Sequence, residues 1–412
     1  MNRMIRYEWK KIWQGRLTQI TMAACVLFFL FSMYANMSQV VGIQADGTQV
    51  QGMEGIRTLK QNQPTVTLTQ EEVDRMVKQY LDYTKDPETS SDNVGYQYLS
   101  ETMYRSWYLP KKELLGWIEA VYRPEGSEAP MKEIFEKNLG KDIFQARLKR
   151  DQEAVDRNLR QGKITDRQAA YWKESVSEIR EPLSYGYCEG WKQIFFAGNW
   201  AVIIMMVVGI GVAPIFAGEY QSKCASLFLC MKYGKNRLVT AKLLTAWLYT
   251  TFVYLVLTAG YSAGYLLMFG AGGGDLPVQM MEPLLSVGYT LTIREGVVLV
   301  LALGYVFTLC FMAVTLFLSS ILKNSYGVVV ITLPLVFVLA LLSPDQGGYV
   351  WSHILSLLPS QIVNFVFHSY TAYTIFGKVF HWISAGIMAD ALAAAVLVAL
   401  SYKIFRDHQV NK

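Results

Sequence analysis

Residues 296–322 read GVVLVLALGYVFTLCFMAVTLFLSSIL, an apolar run that contains no charged side chain. A helix rises about 1.5 Å per residue, so this run is long enough to cross a hydrocarbon core about 30 Å thick. Further apolar runs occupy residues 17–38, 199–217, 243–269, 327–343 and 383–402. The sequence therefore predicts an all-α polytopic membrane protein with six transmembrane helices.

The overall composition agrees with this fold. Of the 412 residues, 52% are hydrophobic and 17% are charged, whereas an average soluble domain has roughly 25% charged residues. The five cysteines are scattered between apolar runs and polar segments, which predicts no disulfide framework. This composition excludes a purely soluble enzyme.

The distribution of basic residues predicts that both termini are cytoplasmic. The predicted inner segments carry 14 Lys and Arg in residues 1–16, 218–242, 323–326 and 403–412. The short outer segments 270–295 and 344–382, the second of which is extracellular or re-entrant, carry only Arg294 and Lys378. By the positive-inside rule, this asymmetry places residues 39–198 outside the cell. No basic stripe interleaved with aromatic residues indicates nucleic-acid binding.

Residues 39–198 predict a mainly helical extracellular domain. They contain 22 basic and 25 acidic residues, a net charge of −3. Thr69 and Thr165 begin predicted capping boxes, in which the hydroxyl and a following Gln or Glu satisfy free backbone N–H groups. Gly140 and Gly162 follow predicted helix ends as left-handed caps. We expect about five short helices and little sheet.

The leader, residues 1–16, predicts an amphipathic helix at the inner membrane interface. Trp9 and Trp13 fall on an apolar face and Arg3, Arg6 and Lys10 on another. The basic residues alone would also serve as a signal for orientation, and the paired tryptophans favour the interfacial helix.

Several familiar catalytic motifs are absent or occur in an unsuitable place. No GxxxxGK[ST] motif is present, so the chain lacks a P-loop and is not expected to hydrolyse ATP. The four histidines form no HExxH motif, and we expect no metal site. Residues 260–264, GYSAG, match the GxSxG motif of hydrolases but lie inside a predicted span, where small residues four apart allow close helix packing.

Asp390 is the one ionisable side chain well inside a predicted span. Such a group costs roughly 2.5 to 3.5 kcal/mol at the bilayer centre, so its presence needs a reason. Asp390 either lines a polar substrate pathway or snorkels or pairs near the interface. A proton- or sodium-coupled carrier would be expected to hold more such groups.

The most specific stretch is GVAPIFAGEYQSK at residues 211–223, followed by KYGKNRLVTAK at residues 232–242. Together they resemble the end of the second span and the following loop in permease subunits of type-2 ABC exporters. Residues 185–191, YGYCEGW, are similar to the approach to that span in permeases of Gram-positive bacteria. The layout, with a large outer domain between spans one and two, is similar along the whole chain.

The resemblance implies a coupling helix in the loop after span two, which docks on a separate ATPase. The coupling residues it implies are Glu219, Tyr220, Gln221, Lys223, Leu227, Phe228, Lys232, Lys235 and Arg237. It also implies P-loop ATPase subunits that bind ATP and Mg²⁺, a second permease chain that is identical or homologous, and a location in the bacterial cytoplasmic membrane. The chain itself would hold no cofactor. Orientation alone would also explain the lysines of this loop.

The sequence is compatible with three functions. The leading hypothesis is the membrane subunit of an ATP-driven exporter of a peptide, drug or lipid-like amphiphile. The alternative is a sensing or resistance module whose extracellular domain binds an antimicrobial peptide without net translocation. A membrane-embedded hydrolase with Ser262 as nucleophile is the third.

Overall fold

The computed structural model describes residues 1–44, 46–196, 201–231, 233–281, 288–342, 348–358 and 370–407. These residues form a bundle of long apolar helices and a largely helical insertion domain, residues 40–196, between the first two long helices. The predicted all-α polytopic membrane fold is confirmed.

Five described helical stretches are long and apolar enough to cross a membrane: Arg16–Gln39, Ala201–Gln221, Gly234–Phe269, Ile293–Ile321 and Trp382–Arg406. The remaining predicted span, residues 327–343, forms a shorter helix that covers Ser325–Ala340 and contains Pro334. Its 16 residues rise about 24 Å, less than the thickness of a typical hydrocarbon core. A sixth complete crossing therefore stays a prediction.

The bundle begins with two consecutive helices, α1 (Asn2–Trp13) and α2 (Arg16–Gln39). Its later helices are α11 (Ala201–Val212), α12 (Pro214–Gln221), α13 (Ala225–Cys230), α14 (Val239–Phe269), α15 (Ile293–Ile321), α16 (Ser325–Ala340), α17 (Tyr349–Ser356) and α18 (Trp382–Arg406). A π-helical turn at Gly234–Leu238 leads into α14, and an antiparallel hairpin of Ala372–Ile375 and Lys378–His381 precedes α18.

The described part of the insertion domain contains more helices than the five expected. They are α3 (Gly52–Asn62), α4 (Gln70–Lys85), α5 (Glu101–Met103), α6 (Leu109–Tyr122), α7 (Met131–Asn138), α8 (Ile143–Arg160), α9 (Asp166–Ser177) and α10 (Glu189–Phe196). Short antiparallel pairs join Val41–Ile43 to Gln49–Gln51 and Val66–Thr67 to Ser184–Tyr185, so the sheet content is small, as predicted.

Most of the predicted helix boundaries in the insertion domain are confirmed. Thr165 forms the complete capping box, and Gly140 and Gly162 have φ angles of +78° and +67°. Thr69 accepts a hydrogen bond from the backbone N–H of Glu72, but the return bond does not form because the Glu72 carboxylate pairs with Arg75. The domain's helix ends thus follow local sequence rules.

The insertion domain and the helix bundle share one continuous hydrophobic core, which extends from Ile12 in α1 to Trp172 in α9. The Trp172 ring packs edge-on against Tyr289, at 5.6 Å between ring centroids. Tyr187 Oη donates a hydrogen bond to the backbone carbonyl of Phe269 at the end of α14, at 2.8 Å. The insertion domain is therefore packed directly on the bundle and is not a separately tethered unit.

Small residues in the spans allow close packing within the chain. A side chain at Gly264 would collide with Met33 of α2, and one at Gly209 would meet Phe311 of α15 at 2.9 Å. The small-residue interpretation of the GYSAG motif is therefore supported at Gly264. Gly260 differs, because no described atom lies within 4 Å of where its Cβ would be.

Candidate functional site

The second span contains a break at Pro214. Proline has no backbone N–H and fits the first turn of a helix, so α11 ends at Val212 and α12 begins at Pro214. Such a break leaves backbone groups without intrahelical partners in a region where water is scarce.

The Ser319 side chain, contributed by α15, satisfies these groups. Its buried Oγ donates a hydrogen bond to the carbonyl of Ala213 at 2.7 Å. The same oxygen accepts hydrogen bonds from the N–H groups of Phe216 at 3.1 Å and Ala217 at 3.0 Å. One hydroxyl of α15 therefore fixes the direction of α12 after the break in the second span.

We expect Ser319→Ala to destabilise the protein by about 1–3 kcal/mol, because it leaves buried backbone groups unsatisfied. Thermal unfolding of the purified full-length chain measures this effect. The matched control is Ser320→Ala, since among the described residues the Ser320 hydroxyl bonds only to a carbonyl of its own helix. Equal unfolding midpoints for the two variants would contradict this role of Ser319.

Helix α12 ends in a tight turn at Lys223. This residue has a φ of +58°, a left-handed conformation that glycine usually occupies at this position. The N–H of Lys223 bonds to the carbonyl of Tyr220, and the N–H of Cys224 bonds to the carbonyl of Glu219. This pair of bonds defines a Schellman motif, which turns the chain sharply into α13.

A group of four charges lies at the end of α12, and three of them, Glu8, Glu219 and Lys242, are buried. Glu219, which is 2% exposed, accepts hydrogen bonds at Oε1 from Lys242 Nζ at 2.7 Å and Lys11 Nζ at 2.6 Å. Lys242, which is 1% exposed, also donates to Glu8 Oε1 at 2.9 Å. We call Glu8, Lys11, Glu219 and Lys242 the ion cluster. It joins α1, α12 and α14, and its formal charges cancel because the partly exposed Lys11 compensates the second buried carboxylate.

Helix α1 packs on α14 through its two tryptophans. Trp9 and Trp13 contact the rings of Tyr249 and Phe252 edge-on, with centroids 5.6 to 6.4 Å apart. Burial alone would lower the pKa of Lys11, but its hydrogen bond to Glu219 and the negative charge there outweigh this and raise the pKa. Lys11 therefore stays charged at any physiological pH.

Beyond the ion cluster, residues 222–238 form a loop segment that exposes apolar and basic side chains. Leu227 and Met231, on and just after α13, are 65% and 51% exposed. The Arg237 guanidinium lies over the Tyr233 ring, 4.4 Å from its centroid. A helix this short that exposes large apolar side chains is typical of a surface that another protein covers.

The structure divides the predicted coupling residues into two groups. Glu219 and Tyr220 point into the protein, where Tyr220 Oη donates to the carbonyl of Ser320 at 3.1 Å. The exposed group contains Gln221, Lys223, Leu227, Lys235 and Arg237, with Phe228 partly buried. Lys232 lies outside the described residues. Glu219 thus holds the loop segment in place and is not itself available at the surface.

Sequence reasoning missed Glu8, Lys11 and Ser319 as site residues. Glu8 did carry a signal, since it is the only acidic residue among the first 16 and falls on the apolar face of the leader. A lone acid in that position indicates a buried cationic partner. We found no sequence signal for Ser319.

Asp390 lies far from the loop segment, in α18. It is 5% exposed and, in the part of the chain that the structure describes, makes no hydrogen bond or ion pair. Helix α18, which carries Asp390, packs along α15. The alternative that Asp390 pairs near the interface is not supported among the described residues.

Comparison with known proteins gives one match. The family model described as ABC-2 family transporter protein matches residues 4–405, nearly the whole chain. The chain belongs to the ABC-2 transporter family. This permease is therefore the membrane component of an ABC transporter that works with an ATPase subunit. A search of curated proteins and a search of solved structures each returned no match.

Proposed function

We propose that this permease exports a peptide, drug or lipid-like amphiphile, using ATP hydrolysed by a separate P-loop ATPase. The observation that supports coupling is the loop segment, in which exposed Leu227 and Met231 lie beside exposed cations. An apolar centre with a charged rim is the usual anatomy of a protein interface. Export and the substrate class are implied by the resemblance to permease subunits of type-2 ABC exporters.

The ion cluster links the loop segment to the membrane helices, so movement at the interface can be transmitted to them. Helix α13 is joined to α12 by the Schellman turn and to α14 by the short π-helical turn. A displacement of α13 by the ATPase would therefore displace the adjoining ends of α12 and α14. The ion pairs of Glu219, Lys242 and Glu8 connect α12 and α14 to α1. Moving these helices apart would break the pairs and leave buried charges without partners. We propose that closure of the ATPase moves these three helices together. We also propose that the substrate path lies between two permease chains and that Asp390 lines this path.

The test is transport by the complete complex in sealed vesicles. We expect ATP-dependent movement of a fluorescent cationic amphiphile or peptide and stimulation of ATP hydrolysis by the same compound. Vesicles in which a panel of such compounds neither moves nor stimulates hydrolysis would contradict the export proposal while leaving family membership intact.

Cysteine labelling tests the proposed orientation. Cys230 is the exposed member of the five free cysteines, and Lys78 is exposed in the insertion domain. We expect a membrane-impermeant maleimide to label Lys78→Cys in intact cells and Cys230 only after permeabilisation. Labelling of Cys230 in intact cells would place the loop segment outside and contradict ATPase docking.

A second candidate function, peptide sensing by the insertion domain, has one structural observation in its favour. A cleft of about 890 Å³ lies between α8 and the loop at residues 123–126, and Arg150 and Tyr370 line it. A cleft of this size accommodates part of a peptide. Peptide binding to the full-length permease that Arg150→Ala abolishes, in a complex that shows no transport, would favour sensing.

A further inference from the structure

Helix α1 presents an outer face whose charged side chains are all cationic. Arg3, Arg6 and Lys10 are spaced three and four residues apart, which places them on one side of a helix. All three are exposed, whereas Glu8 on the other side is buried. The helix therefore separates its charges by face.

No acid within the described residues neutralises this cationic face. Arg3, Arg6 and Lys10, together with Arg16 at the start of α2, make no ion pair or hydrogen bond with the residues that the structure describes. The only nearby acid of the leader, Glu8, is already paired with Lys242 inside the ion cluster. The face thus offers several unpaired cations to a partner.

The cationic face begins where the apolar surface of the bundle ends. Leu17 and Ile20, which follow Arg16 directly, are exposed apolar residues of the first span. On the other side of α1, Trp9 packs on Phe252, whose ring is also largely exposed in α14. Exposed apolar side chains on a span contact lipid chains, so the adjoining cations lie at the depth of the headgroups.

We propose that Arg3, Arg6 and Lys10 bind anionic phospholipid headgroups of the adjacent leaflet. Negative headgroups attract basic residues next to a span, and each such residue contributes to binding when it lies within a Debye length of the surface. A neutral headgroup offers no net charge to these unpaired cations. The partner that fits this face is therefore a leaflet rich in anionic lipid.

The contact with lipid has a consequence for the loop segment, and this step rests on the proposed function. Lys11 and Glu8 connect α1 to Glu219 and Lys242, so a lipid contact that fixes α1 also fixes the end of α12. Anionic lipid would thus hold the loop segment in the position that the ATPase meets.

The test measures lipid retained by the full-length permease after exchange into nanodiscs that mix phosphatidylglycerol with phosphatidylcholine. Native mass spectrometry reports the enrichment of phosphatidylglycerol on the protein. We expect the triple variant Arg3→Gln, Arg6→Gln, Lys10→Gln to lose this enrichment by about 100-fold, since each charge contributes roughly fivefold. High salt should produce a similar loss in the unmodified protein.

The matched control removes the same charge from the insertion domain, with Lys78→Gln, Lys137→Gln and Lys149→Gln, all exposed. Equal enrichment in the two triple variants would overturn the proposal. Loss of ATPase co-purification with lipid enrichment unchanged would also overturn it and assign the face to the ATPase. Because lipid enrichment needs no ATPase, failure of the export proposal would leave this result unaffected.

Discussion

We expect Lys242→Met to lower the free energy of unfolding by about 3–5 kcal/mol, because it leaves buried carboxylates without the cation they share. The change removes the cation that Glu8 and Glu219 share, at 2.9 Å and 2.7 Å, inside a region closed to water. Two carboxylates then remain buried, with only Lys11 to compensate them. Thermal unfolding of the purified full-length chain in detergent measures the loss.

Two further variants separate the loss of charge pairing from the loss of packing. Lys235→Met removes an exposed lysine of the loop segment and should leave the unfolding midpoint nearly unchanged. The triple variant Glu8→Gln, Glu219→Gln, Lys242→Met removes the buried charges together and should recover most of the loss. If Lys242→Met is as stable as Lys235→Met, the ion cluster does not hold α1, α12 and α14 together.

The second large effect concerns binding. Leu227→Asp combined with Met231→Asp should weaken ATPase binding by about 2–4 kcal/mol, or roughly 30- to 1000-fold, since both side chains lie at the centre of the proposed interface. Quantitative co-purification of the ATPase measures this loss. Membrane insertion should persist, because neither residue belongs to a span.

The matched control places the same chemistry on the insertion domain. Met53→Asp combined with Val94→Asp introduces two charges at exposed apolar positions that lie far from the loop segment in the fold. This variant should retain the ATPase fully. If both double variants co-purify the ATPase to the same extent, Leu227 and Met231 do not form the docking surface.

The sequence predicted those parts of the fold that depend on local physics. The run at residues 296–322 became α15 because its length and apolarity leave few alternatives in a membrane. Gly162 and Thr165 mark helix ends because their caps need only neighbouring backbone groups. In contrast, the short α16 ends at Ala340, before the apolar run does.

The ion cluster could be predicted only in part. Glu219 was found through the resemblance, but its contact with Lys242 joins the ends of two spans, and Glu8 lies 234 positions from Lys242. An ion pair between residues this far apart in the sequence forms only when the helices pack, so the sequence alone does not predict it. For the same reason, Glu219 was expected at the surface of the loop, whereas the approach of Lys11 and Lys242 buries it.

Coverage of the loop segment by an ATPase is tested most directly at Cys230. This thiol is exposed between Leu227 and Met231 and requires no substitution. Its alkylation rate by maleimide, followed by peptide mass spectrometry, should fall strongly when the ATPase is bound, while Lys78→Cys in the insertion domain keeps the same rate. Equal rates for Cys230 in the permease alone and in the complex would contradict docking on this surface.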